Sequence, residues 1–191
     1  RMSPATHIQM IPWWVYFACR FKGLFKKGLI PICSQHIELV YALWFECELQ
    51  KTAQRSILEK VQKRLEKYMP IKIKNELTQS RDLAKCFGCI LSSVSKERRG
   101  MLCVSFFQEH GPTLLPWDTK VTIVRMTVIK QLTSSSKPFM MQLTTADGLV
   151  YNVLLKQEDV RTDRLAMTMG YWINHLTGSC KVYTYDVFPL N

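Results

Sequence analysis

The stretch Tyr151–Arg164 reads YNVLLKQEDVRTDR. Lys156 closes an apolar run; Glu158, Asp159 and Asp163 follow it, with Arg161 among them and Arg164 just after. Two kinds of chemistry fit a lysine at a strand end followed by carboxylates. One is a surface ion-pair cluster, in which the acids also favour the positive start of the next helix. The other is a polyanion site, in which the lysine supplies charge to phosphate oxygens while an acid fixes its direction and keeps it protonated. On residue types alone the ion-pair cluster is the commoner outcome.

Either reading needs elements that hold Lys156 in place. The segment His110–Asp118 (HGPTLLPWD) carries a glycine and two prolines and reads as a linker. After it come β-branched, alternating runs, KVTIVRMTVIKQL and FMMQLTTADGLVYNVLLK. Asp147-Gly148 between apolar runs predicts a hairpin with positive φ at both turn positions. From Arg161 the period becomes helical: Leu165, Met169, Trp172, Ile173 and Leu176 form one apolar stripe ending near Gly178. The run KVYTYDVFPLN then predicts a further strand. Lys156 therefore closes a hairpin strand, and its acids open the helix that follows.

The preceding residues have a different character. Residues 11–48 predict two helices broken by Gly28 and Pro31, and residues 53–69 an amphipathic helix stopped before Pro70. Residues 75–107 read as helical, with a break at SKERRG, and no catalytic pair stands out in this half. The expected architecture is α+β: an α-helical segment, 1–112, packed on a small antiparallel sheet with one main helix, 113–191.

Composition narrows the function classes. The chain has 191 residues, and 47% are apolar, enough for a folded core. Net charge is +11, with 18 basic against 9 acidic residues in 1–112 and 8 against 6 beyond, so the halves differ in balance. Lys60, Lys63, Arg64 and Lys67 alternate with Glu59 and Glu66 at helical spacing, which reads as a polar helix face rather than a nucleic-acid surface. The seven cysteines, at 19, 33, 47, 86, 89, 103 and 180, lie among apolar neighbours. They read as reduced, intracellular and buried. Cys86 and Cys89 form a lone CxxC without the second pair that a structural zinc needs, so core packing is expected. The apolar run Met10–Cys19 is about half the roughly 20 residues of a membrane span and reads as a buried helix. The opening at Arg1 and the FPLN ending suggest a segment of something longer.

One resemblance covers much of the second half. Lys137-Pro138, Leu143, Asp147-Gly148, Tyr151, Lys156, Glu158-Asp159-Val160-Arg161-Thr162-Asp163 and Met167 occur in that order. Ile173-Asn174, Tyr185, Val187 and Pro189-Leu190-Asn191 continue it. The order resembles the kinase N-lobe of the phosphatidylinositol-3-kinase-related protein kinases, and most of all the DNA-damage checkpoint members. The run from Ala42 to Tyr68 is similar to the last helices of the FAT domain that precedes that lobe. The resemblance implies an ATP-dependent serine/threonine kinase of the nucleus, with protein substrates. It also implies an adaptor that brings the kinase to damaged or single-stranded DNA, and no membrane.

By the same resemblance Lys156 is the ATP-phosphate lysine, with Asp163, Glu158 and Asp159 around it. Thr133, Ser134, Ser135, Ser136 and Lys137 are the phosphate loop, offering hydroxyls and backbone N–H groups in place of glycines. Mg2+ or Mn2+ would be held by ligands on a C-lobe beyond the hinge, together with every catalytic residue, so this segment alone is not expected to transfer phosphate. The sequence differs from the family pattern in three places. One residue fewer separates Lys156 from Asp159, Val160 stands for leucine, and Phe139 and Met140 stand where basic residues are common. A competing reading is a non-catalytic basic helical scaffold, or a pseudokinase module that binds a protein or nucleic acid.

Overall fold

In a computed structural model the described residues are 4–21, 23–49, 51–116, 118–177, 182–185 and 187. Among them the fold is α+β, in two compact units, Arg1–Leu77 and Thr78–Asn191.

The first unit is helical. Helices α1 (Pro4–Arg20), α2 (Ile30–Cys33), α3 (Ile37–Leu49) and α4 (Lys51–Leu65) are followed by a 3₁₀ turn, Glu66–Tyr68, and by the start of α5 (Ile71–Ser92). α3 is apolar on nearly every side, and Leu39, Val40, Leu43, Phe45 and Cys47 are all buried. Such a helix must lie between others, and α3 packs against both α1 and α4. Among the described side chains of α1, Ile11, Val15 and Ala18 are buried while Tyr16 and Phe17 are exposed, so the run Met10–Cys19 buries one face rather than all of itself. Polar groups lock the α3–α4 pair. The Trp44 indole N–H donates to Glu66 (3.0 Å), and the buried Gln62 amide donates to the Trp44 carbonyl (3.2 Å) and to Glu48 (2.9 Å).

The expected break at Gly28 and Pro31 lies elsewhere. The chain turns around Gly23, whose φ of +95° suits glycine, and runs helically from Phe25 to Cys33. Pro31 has no N–H to donate, and the turn before it widens into a π-helix, Phe25–Leu29, within which Gly28 sits. The predicted stop before Pro70 is borne out. No helix among the described residues is long and apolar enough to cross a membrane.

The second unit comprises the rest of α5, α6 (Lys96–His110), strands β1 (Thr113–Leu115), β2 (Asp118–Gln131), β3 (Phe139–Thr145) and β4 (Val150–Leu155), and α7 (Arg161–Thr177). The predicted break in SKERRG is shifted: Ser95 is the N-cap of α6, accepting from Arg98 N–H at 3.0 Å, and Lys96–Gly100 form its first turns. The strands form one antiparallel sheet in the order β1-β2-β3-β4. β2 is interrupted by irregular register at Ile123/Arg125 and Val128/Lys130, which increases its twist and curls the sheet.

β1 lies inside the segment read as a linker. The buried Thr113 and Leu115 take an edge position beside β2, and the hydroxyl of the buried Ser80 on α5 donates to the Leu114 carbonyl (2.9 Å). The compact unit also begins well before residue 113. Leu83, Phe87 and Ile90 of α5 and Cys103 and Phe106 of α6 share one core with Ile123, Met126, Phe139, Met141, Leu143 and Leu155 of the sheet. The sheet can bury its β3 face only against these helices, so the compact boundary falls within α5.

The β3–β4 hairpin forms where Asp147-Gly148 predicts it, with a different turn. The loop is three residues long, closed by Thr145 N–H to the Leu149 carbonyl (3.0 Å) and Gly148 N–H to the Thr145 carbonyl (3.1 Å). Gly148 alone takes positive φ (+85°), as a type I turn with a glycine bulge requires. Asp147 instead accepts a short hydrogen bond from the Thr145 hydroxyl, which holds its carboxyl below the usual range. The strand predicted from KVYTYDVFPLN is absent among the described residues of that run, 182–185 and 187; Lys181, Asp186 and 188–191 lie outside the described residues.

Candidate functional site

Strand register sets up the site. Gln131 on β2 pairs with Phe139 on β3, and Phe139 pairs with Leu155 on β4. The β2–β3 loop and Lys156 therefore leave the sheet at the same end, with strands spaced about 4.8 Å apart. Leu155 is buried on the core side. Alternation places Lys156 on the opposite face, in the row with Leu154 and its partner Met140. That face is open: Leu154, Val150 and Ile129 are all exposed, and Gln142 bonds Asn152 across it at 3.3 Å.

Lys156 Nζ lies 3.0 Å from Glu158 Oε1 and 3.8 Å from Asp163 Oδ2. The hydrogen bond to Glu158 leads in raising the lysine pKa above its ordinary value, against partial desolvation, and the charges of Glu158 and Asp163 add to the rise. An ammonium has three N–H donors, and only the Glu158 contact is at hydrogen-bond distance, so donors remain for a ligand. The Lys156 side chain keeps 31% of its exposure, enough to be reached from solvent.

Of the three acids that the resemblance sets around Lys156, the structure gives the closest contact to Glu158. The segment after Lys156 bends at Gln157 and Glu158 and returns Glu158 to the lysine it follows, while Asp163 approaches from the first turn of α7. Asp163 stands in the first turn of α7, where the helix dipole favours negative charge. Asp159 is exposed on the loop between the two acids.

Thr133–Lys137 form a turn built around hydrogen bonds. Lys137 N–H donates to the Ser134 carbonyl (2.9 Å), and Leu132 N–H to the Pro138 carbonyl (2.9 Å). The Gln131 amide donates to the Lys137 carbonyl (3.1 Å). Thr133, Ser134, Ser135 and Lys137 are exposed and Ser136 half-buried, so the loop presents hydroxyls to solvent. Lys137 sits at φ +43°, the one positive-φ residue other than glycine among the described residues.

Two further residues attach to the site. The Tyr185 phenol is near enough to Lys156 to interact electrostatically. It is carried by 182–185, which docks on α7 through Asn174: the amide donates to the Val182 carbonyl, and Val182 N–H donates back, both at 2.6 Å. Gly170 is buried beneath this segment, and a Cβ there would meet Thr184 Cγ2 at 3.0 Å and Val182 Cγ1 at 3.2 Å. Asn174→Ala removes both bonds at about 1 kcal/mol each. The Val182 amide should then exchange about tenfold faster or more while α7 amides stay protected. The second residue is Arg99 of α6, whose guanidinium lies 4.4 Å from the centroid of the Phe139 ring. Tyr185 stands within the sequence motif; Arg99 carried no signal, because its partner is distant in sequence.

The cysteines divide by burial. Cys33, Cys47 and Cys103 are buried and Cys86 half-buried, with burial pushing the Cys86 thiol up to about 12. Cys89 is exposed, so core packing holds for one half of the CxxC only; Cys180 lies outside the described residues.

Lys156 and the exposed hydroxyls of the β2–β3 loop are groups of the kind that pair with phosphate oxygens, both at this end of the sheet. Among the described residues no three His, Cys, Asp or Glu side chains group to hold a metal ion. Neither protein-family models nor curated proteins give a match to this chain.

Proposed function

We propose that residues 113–191, the sheet and α7 of the second unit, are the ATP-binding N-lobe of a serine/threonine kinase of the phosphatidylinositol-3-kinase-related type, nearest to the ATR checkpoint kinase, preceded by FAT-like helices within 1–112. The observation that carries this reading is the Lys156 cluster. A protonated lysine is held by one acid from its own loop and one from α7, at the sheet end where the serine-rich loop emerges. The motif order from Lys137-Pro138 to Asn191 supports the same reading.

In this reading Lys156 donates to phosphate oxygens, Glu158 and Asp163 hold its direction and charge, and Ser134–Ser136 bond the remaining oxygens. Two carboxylates lie against Lys156 and Asp159 stands on the same loop, so a bare triphosphate would be repelled and the nucleotide would enter with a divalent cation. The cation's ligands and the catalytic acid would belong to a C-lobe, and protein substrates, a DNA-directed adaptor and a nuclear setting belong to the parent kinase. The chain alone should bind nucleotide and transfer nothing.

Equilibrium binding of a fluorescent ATP analogue with Mg2+, competed by ATP, tests this. Competition lost in Lys156→Met supports the reading. Equal binding by wild type and Lys156→Met would leave the cluster an ordinary surface ion-pair network.

A further inference from the structure

We propose that Arg99 is a positioning residue for the nucleotide-binding end of the sheet, clamping the root of the β2–β3 loop to the α5–α6 turn. The inference rests on the reading of that end as a nucleotide site, and its clamping half can be measured without nucleotide.

Arg99 makes three contacts that no other side chain combines among the described residues. Its Nη1 donates to the Ser93 carbonyl at 2.7 Å and to the Val94 carbonyl at 3.3 Å, tying down the turn after α5. Its guanidinium lies over the Phe139 ring at 4.4 Å. Its Nε is buried without a hydrogen-bond partner, a desolvation cost that the ring face offsets. An arginine that contributed only charge would extend into water instead.

Phe139 is the residue on which this end of the sheet turns. It is buried, follows Pro138 at the close of the loop, and pairs with both Gln131 and Leu155. Gln131 also bonds the Lys137 carbonyl within the loop, and Leu155 directly precedes Lys156. Fixing the Phe139 ring thus fixes the loop on one side and the root of Lys156 on the other. The loop has no glycine and holds Lys137 at positive φ, so its shape depends on such an anchor.

The test compares Arg99→Ala, Arg99→Lys and Phe139→Leu in the whole chain. Amide exchange at 132–137 should accelerate about three- to tenfold in Arg99→Ala. Exchange in the middle of β2 and β3 should stay unchanged. Phe139→Leu should reproduce this without touching the α5–α6 turn. Arg99→Lys, which keeps charge over the ring and loses the fork to Ser93 and Val94, should fall between. Affinity for the Mg2+–ATP analogue should drop by a similar factor. Exchange unchanged at 132–137 in both Arg99→Ala and Phe139→Leu overturns the clamp. Accelerated exchange with unchanged affinity overturns the positioning role. A wild-type chain that binds no nucleotide, with exchange still accelerated, overturns the site reading and upholds the clamp.

Discussion

Lys156→Ala in a kinase containing this segment should lower phosphoryl transfer roughly a hundredfold or more, the scale seen when one charged or hydrogen-bonding group aimed at transferring phosphate is removed. The same change should barely alter stability. The ion pairs of Lys156 are between partly exposed groups, with Glu158 and Asp163 side chains 42% and 45% exposed, and such pairs contribute about 0–1 kcal/mol. A large kinetic loss with a nearly unchanged melting temperature separates the phosphate site from the ion-pair network. If instead activity survives, Lys156 is a surface lysine with two neighbours. Asp163→Asn should cost less than Lys156→Ala, because Glu158 at 3.0 Å still orients the lysine.

Phe87→Ala should destabilise the second unit by about 3–5 kcal/mol. Phe87 is fully buried in the core shared by α5, α6 and the sheet, so truncation leaves a cavity lined by both helix and strand residues. Urea unfolding followed by strand amide exchange checks this. Protection of Met141 and Leu143 should fall together with that of α5. If the strands kept their protection while α5 loosened, the helices would be an appendage and residue 113 the true start of the unit.

The sequence-readable parts of the fold are those fixed by local chemistry. Pro70 cannot continue a helix, Gly148 supplies the one positive φ in its hairpin, and the stripe from Leu165 to Leu176 has the helical period. The parts that were not readable depend on distant partners. Thr113–Leu115 is too short to show alternation and becomes a strand because β2 offers an open edge. The helical period of α5 gives its exposed and buried faces and says nothing of which neighbour covers them, so the shift of the boundary into α5 needed the structure. The final motif, read as a strand, has Val182 paired to the Asn174 side chain instead of a neighbouring strand.

The candidate site divides in the same way. Lys156, Glu158 and Asp163 are close in sequence, and their types and spacing sufficed to bring them together. The balance between the two acids depends on the bend at Gln157 and Glu158, which puts Glu158 nearer than Asp163. Arg99 reaches the site across forty residues through an aromatic ring. In the proposed function an adenine nucleotide would lie on the open sheet face at the Lys156 end, where Leu154 is exposed.

That proposal is tested most directly by labelling. An acyl-phosphate derivative of ATP delivers its acyl group to a lysine that contacts the phosphates, and peptide mapping identifies the lysine. The expected result is selective acylation of Lys156, suppressed by excess ATP with Mg2+. Acylation of Lys156 no greater than that of the helix lysines Lys60 and Lys63, and unaffected by ATP, would contradict the nucleotide-binding reading.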